Sequence, residues 1–373
     1  MITTKTTKLI AIFGILVLAI AACQTSIDRT TTDNTAANTP IKIGAIFILT
    51  GQGANWGRHA KQGAELALQE LNTAGGINGR QVTIVHEDNQ GDNPAQAVSA
   101  LQKLMTQDIN IVLGPNWSPS GLAVAPIACQ NNVLMISPSL GIADFNEQCD
   151  FLFNTWPHDA TLSTHLGKSL FAQGFKRIAI LGSHQVWEET QAIAVKKAFE
   201  TAGGTVVAFE LPAGDQADFK TELLKISQAT PDALVVQFAQ EHIIAKQMRE
   251  LGMHVPIFAP LIDQERITGA QGALEGAVSF TSFTPTEDFT KRYASTFGEQ
   301  PDIGATGAFD AVMLLATAMK TTNTTDPTTL KNHLNSLKEW NGTSGLLTFD
   351  GKGGVTHEPK KMVVKGNALV SFS

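Results

Sequence analysis

Ser118 stands in the run GPNWSPSG, between an apolar stretch ending at Leu113 and a helical pattern from Leu122 to Cys129. A serine in that place lies beside the backbone N–H groups that a helix leaves unpaired at its start, and such groups favour an anion. It would either hold a ligand carboxylate or cap its own helix. Four of the five tryptophans, Trp56, Trp117, Trp156 and Trp187, fall in expected loops or crossings instead of on apolar faces. Indole rings there would bury an apolar ligand group at little rotamer cost, or else pack into cores. Other sets with chemical potential are incomplete. Gly51, Gly53 and Gly57 approximate a dinucleotide fingerprint whose third spacing is off by one. Asp88, Asn89 and Asp92 lack the bidentate glutamate of a calcium loop and read as turn and cap residues. The nine histidines form no HExxH or other tight pair, so no metal is expected. Neither GxSxG nor a nucleophile, base and orienter set is present. The residues point to binding, not to an enzyme, and imply no cofactor.

The elements that would position these residues alternate between strand and helix. Ile41 to Leu49 is a nearly continuous apolar run, as in a strand covered on both faces. A glycine-rich turn follows, then Ala60, Ala64, Ala67, Leu68 and Leu71 at helical spacing, and Gly75 with Gly76 as a helix stop. A turn at the carboxyl end of such a strand is where α/β proteins place small ligands. Further strands are expected at Val82 to His86, Ile109 to Leu113, Val133 to Ser137, Arg177 to Leu181, Thr205 to Phe209, Ala233 to Phe238, Ile257 to Ala259 and Ala277 to Phe280. Pro94 to Thr106 reads as a helix capped by Asn93, and Pro157 to Gln173 as another. After Phe283 come helices at Thr286 to Phe297, Ala305 to Lys320 and Pro327 to Leu337. Strand-like Leu346 to Phe349 and Lys361 to Val364 follow, and the turn at Gly366 and Asn367 suggests a terminal hairpin. The alternation predicts an α/β fold with parallel sheets.

The amino terminus predicts export. Residues 1–22 carry Lys5 and Lys8, an apolar core from Leu9 to Ile20, and the small pair Ala21 and Ala22, the pattern of a cleaved signal peptide. Ile20, Ala21, Ala22 and Cys23 look like a lipobox, in which Cys23 becomes lipid-modified; otherwise Cys23 is removed or left as a free thiol. Residues 23–40 are polar and read as a tether of roughly 20 Å span. The formal charge is −7, and loss of Lys5 and Lys8 gives −7 − 2 = −9. An acidic chain without basic clusters argues against nucleic acid and anionic lipid surfaces, leaving the lipid as the membrane contact. Cys129 and Cys149 then remain, as a disulfide closing a loop of about 20 residues or as two buried thiols.

From Ile41 onward the chain resembles the extracytoplasmic solute-binding proteins of the leucine/isoleucine/valine-binding type, lipoprotein form, which serve ABC importers. The resemblance rests on IKIGAIFILTGQGANWG, AELALQELNTAGGINGR, EDNQGDNPAQAV, VLGPNWSPSGLAVAPIA, LMISPS, LEGAVSFTSF and GAFDAVMLLATAM, in that order. It implies two doubly wound parallel-sheet lobes joined by three hinge crossings, with the ligand cleft between them. The crossings are expected near Pro157, Phe283 and Leu347, giving one lobe of residues 41–156 plus 284–346 and another of 157–283 plus 347–373. The partners implied are a small-molecule ligand and an ABC permease, with the receptor a monomer.

The resemblance also assigns site residues. Ser118 matches a serine that donates to a ligand carboxylate, and Ser139 and Gly141 match positions that offer backbone groups and a threonine hydroxyl. Gly141 lacks that hydroxyl. Trp56 and Trp187 match aromatics of the two lobes that close on the ligand. At the ammonium end the family's acid is replaced by Leu261, with Asp263 two residues on, and its tyrosine by Ala239 followed by Gln240. Asp263 would supply the counter-charge or cap a helix. The ligand expected is a branched-chain or hydrophobic amino acid, with amide, urea-like or aromatic carboxylate solutes as alternatives. Lipoproteins of this fold that activate cell-wall synthases form a different class, but carry an extra partner-binding domain for which the sequence gives no sign.

Overall fold

The computed structural model describes residues 39–237 and 240–372, so the leader 1–22, Cys23, nearly all of the tether, and Phe238 and Ala239 lie outside it. Near-continuous apolar runs become strands covered on both faces. β1 (Ile41–Phe47), β2 (Val82–Asp88), β3 (Ile111–Leu113), β4 (Leu134–Ser137) and β5 (Leu152–Asn154) form an all-parallel sheet in the order β2-β1-β3-β4-β5. Helices Ala54–Thr73, Pro94–Met105 and Ser118–Gln130 connect them. Asn93 caps the second by accepting from the N–H groups of Ala95 and Gln96. Gly57 shows how tightly the first connection packs: a Cβ there would lie 1.8 Å from the carbonyl oxygen of Ile48. Cys129 and Cys149 are joined by a disulfide, tying the end of the third helix to the approach of β5.

The second sheet runs β15-β14-β10-β9-β8-β6-β7. β6 (Arg177–Leu181), β7 (Thr205–Glu210), β8 (Ala233–Val236), β9 (Ile257–Ala259) and β10 (Val278–Thr281) are parallel. After β10 the chain returns to the first lobe, where Phe289 and Tyr293 of the helix Glu287–Phe297 and the helix Ala305–Thr322 complete a core shared with β1. A small antiparallel sheet follows, of β11 (Glu339–Gly342), β12 (Gly345–Phe349) and β13 (Val355–Thr356). Leu347, Phe349 and Val355 bury their side chains in that same first-lobe core. The passage expected at Leu347 therefore falls between Thr356 and Lys360, because those three apolar residues hold their strands to the first lobe. β14 (Lys360–Lys365) then adds antiparallel to β10, and β15 (Ala368–Ser371) to β14 through Gly366 and Asn367, both at positive φ. Among the described residues no helix is long and apolar enough to cross a membrane.

Candidate functional site

A cavity of about 290 Å³ lies where the carboxyl-end loops of the two parallel sheets face each other. Such ends are where open α/β sheets leave room for ligands, because their helices start there with unpaired N–H groups. The first lobe contributes Trp56 from the opening turn of Ala54–Thr73, Asp92 from the loop after β2, Trp117 and Ser118 after β3, and Ser139 and Gly141 after β4. The second contributes Asp159, Trp187 and Glu188 from the starts of helices Asp159–Ala172 and Val186–Thr201, then Glu241, Leu261 and Arg266. Trp56, Ser118, Ser139, Gly141 and Trp187 thus border one space. Asp263 does not line it.

Trp56, Trp156 and Trp187 are held in place by their indole N–H groups. Trp56 and Trp117 meet edge to face at 5.6 Å between centroids, and with Trp156, Trp187, Leu261, Ile303 and Phe283 they form one apolar cluster drawn from both lobes. Trp156 donates to one oxygen of Asp159 and Trp187 to the other, each at 2.8 Å. Burial pushes the Asp159 carboxyl up to about 7, against the pull of those two indole N–H groups. The missing side chain at Gly141 now has a cause: a Cβ there would stand 1.7 Å from the Asp159 oxygen that accepts from Trp187, on a carboxyl whose other oxygen Trp156 holds.

Asp263 caps the helix Gln264–Gly269 by accepting from the N–H of Arg266, and its other oxygen takes Arg266 Nη1 at 2.5 Å and the Trp56 indole N–H at 2.9 Å. It works behind the wall, as a cap and as a bond between lobes. Arg266 reaches Glu241 as well, Nε to Oε2 at 2.9 Å, and its guanidinium sits 5.7 Å from the Trp56 ring centroid. Burial alone would lower the Arg266 pKa, but Asp263 and Glu241 outweigh it and hold the guanidinium above its ordinary value. Burial pushes Glu241 up to about 8, with Arg266 opposing. No donor among the described residues makes a well-aimed hydrogen bond to Glu241 Oε2, despite the close Arg266 nitrogen. Burial also raises Glu188.

Asp159, Glu188 and Glu241 escape sequence reasoning because each sits in the first turn of a helix, and Arg266 because it is one of several polar residues on the short helix Gln264–Gly269. Acids in that position are ordinary complements of the helix dipole, so the type and place carry no distinguishing signal. Asp92, a turn or cap residue by its sequence context, borders the cavity, and burial pushes its carboxyl up to about 7.

The comparisons with known proteins concern the whole body. A family model described as periplasmic binding protein matches residues 40–364. The chain is 29% identical over 333 residues, 85% of this chain and 87% of the relative, to the leucine-, isoleucine-, valine-, threonine- and alanine-binding protein of Pseudomonas aeruginosa. Its structure resembles the branched-chain amino acid transporter substrate-binding protein LivJ of Streptococcus pneumoniae in complex with isoleucine, with a TM-score of 0.81, 26% identity, and coverage of 89% of this chain and 98% of that one. It also resembles a solute-binding protein of an ABC transporter from R. palustris in complex with benzoate, with a TM-score of 0.81, 20% identity, and coverage of 89% and 95%.

Proposed function

The chain belongs to the periplasmic binding protein family, and from that premise we propose that it is the extracytoplasmic receptor of an ABC importer. It captures a small ammonium-bearing solute with an apolar body, of the hydrophobic amino-acid kind, and presents its closed form to the permease. One observation carries this reading: a single interlobe cavity has three indoles on its walls and the carboxyls of Asp159 and Glu241 on its second-lobe side. Apolar burial on the rings and charge neutralisation on the acids are the two things such a solute needs. The acids also answer the vacancy at Leu261, because a desolvated ammonium without a counter-charge costs several kcal/mol.

An aromatic carboxylate suits the cavity less well. Four carboxyl groups border it, Asp92, Asp159, Glu188 and Glu241, against one guanidinium that already pairs with two acids. A thermal-shift screen followed by calorimetry decides between the two. Leucine-sized ammonium compounds should raise the melting temperature, since a ligand of the native state stabilises it by mass action, and benzoates should not. Stabilisation by benzoates alone would overturn the reading.

Cys23 follows a lipobox-like run, and the receptor is held to the membrane by a lipid on that residue after cleavage of residues 1–22. Fatty-acid labelling in the producing cell should mark the wild-type chain and not Cys23→Ser. Equal labelling of both would remove this part of the proposal.

A further inference from the structure

Asp159 opens the helix Asp159–Ala172, where the chain passes from the first sheet to the second. Its backbone N–H donates to the Gly141 carbonyl at 2.8 Å, which seats the start of that helix on the loop after β4. One carboxyl oxygen accepts from Trp156, three residues back, and the other from Trp187, the second residue of the helix Val186–Thr201. The oxygen that serves Trp187 fills the space in which any residue but glycine at 141 would place its Cβ. Asp159 is 1% exposed, so these groups and not water surround its carboxyl.

Two indole N–H groups can only donate, and the group between them must therefore accept twice. A carboxylate does so with both oxygens. Asparagine, of the same size, would turn an NH₂ toward one of the rings. The rings are not equally secured. Trp156 is 3% exposed, whereas Trp187 is half-buried, borders the cavity, and packs against the first-lobe core cluster that contains Leu140 and Phe145. An indole has a single donor, so the bond to Asp159 is the whole polar anchor of Trp187.

We propose that Asp159 is a positioning residue for ligand selection: by fixing the Trp187 indole it sets the space left for the ligand's apolar body, and with it the preference among apolar side chains of different length. Gly141 belongs to the same device, because it leaves room for the oxygen that holds the ring. The inference rests on the reading that a hydrophobic amino acid binds between the lobes.

Calorimetry with leucine and alanine tests it, at about pH 8, above the value of about 7 to which burial pushes the Asp159 carboxyl. The two probes share their ammonium and carboxylate and differ only in the apolar side chain. Loss of charge at Asp159 weakens both alike, so the ratio of their affinities reads the apolar wall. Wild type should favour leucine by about tenfold or more. Asp159→Asn should lower that ratio by roughly fourfold or more, the worth of one buried methylene. Gly141→Ala, which removes no charge and no hydrogen-bonding group, should lower it likewise by displacing the oxygen, and it keeps the test decisive if Asp159→Asn fails to fold. On a Trp187→Phe background, which has no N–H to hold, Asp159→Asn should leave the ratio unchanged. A wild-type ratio in the folded single variants, or an equal fall on the Trp187→Phe background, overturns the inference and leaves the proposed function standing. Binding of neither amino acid by wild type overturns both.

Discussion

Asp310 is 3% exposed, and both of its oxygens accept the Thr343 N–H at 2.9 Å, so one carboxylate pins the hairpin between β11 and β12 to the helix Ala305–Thr322. Burial pushes it from 3.8 up to about 7, with the Thr343 bonds opposing. The folded state therefore binds more protons than the unfolded one between those values. Its contribution is fully present below the lower value and is lost as pH rises through the upper one. Asp310→Asn keeps an acceptor for Thr343 without the titration. Wild type should lose stability relative to the variant by up to about 1.4 kcal/mol per pH unit within that window. Urea unfolding of both proteins across the window checks this, and a pH-independent difference would contradict it. His59 and His86, lowered to about 4 chiefly by burial, act oppositely, adding stability as pH rises from their folded values toward 6.5. The comparison with Asp310→Asn cancels their effect.

Elements were legible where a single periodicity served a single burial pattern. Arg177–Leu181 and Ile257–Ala259 fall on the expected residues, and the helices Glu287–Phe297 and Ala305–Thr322 differ from expectation by a residue or two at their ends. The strands that escaped notice are short or lie at sheet margins. β5 has three residues, and β11, with alternating exposed and half-buried positions, is polar enough to read as a loop. Which lobe owns β12 could not be read at all. Leu347 and Phe349 alternate with exposed Leu346 and Thr348, a pattern that any half-buried strand shows, and only the three-dimensional partner decides the core it enters. The site divides in the same way. Trp56 and Ser118 stand out because they follow strands in the glycine- and proline-rich runs GQGANWG and GPNWSPSG, whereas Trp187, in SHQVWEET, is picked out chiefly by the resemblance. Asp159 and Glu241 lie on helix starts, where acids complement the dipole and ordinarily face water, and Arg266 is one charged side chain among the polar residues of a six-residue helix.

At the scale of the molecule, closure has a component that the chain supplies itself. Trp56 belongs to the first lobe and Asp263 to the second, and the indole N–H of one donates to the carboxylate of the other at 2.9 Å. A ligand shifts the balance between open and closed forms only as far as its contacts differ between them, so protein contacts of this kind set the starting point. A hydrogen bond to a charged acceptor is worth about 1.5–3 kcal/mol, or roughly ten- to hundredfold in the closure equilibrium. Trp56→Phe keeps an aromatic face in the cavity and removes only the donor. It strands no charge, because Asp263 keeps Arg266. The unliganded variant should have a larger radius of gyration by small-angle scattering than unliganded wild type, and a saturating ligand should return it to the compact value. Measuring the unliganded proteins separates closure from any lost ligand contact. If both proteins were equally compact without ligand, the Trp56–Asp263 bond would be a consequence of closure driven elsewhere, and the buried pairs of Arg266 would be the next contacts to test.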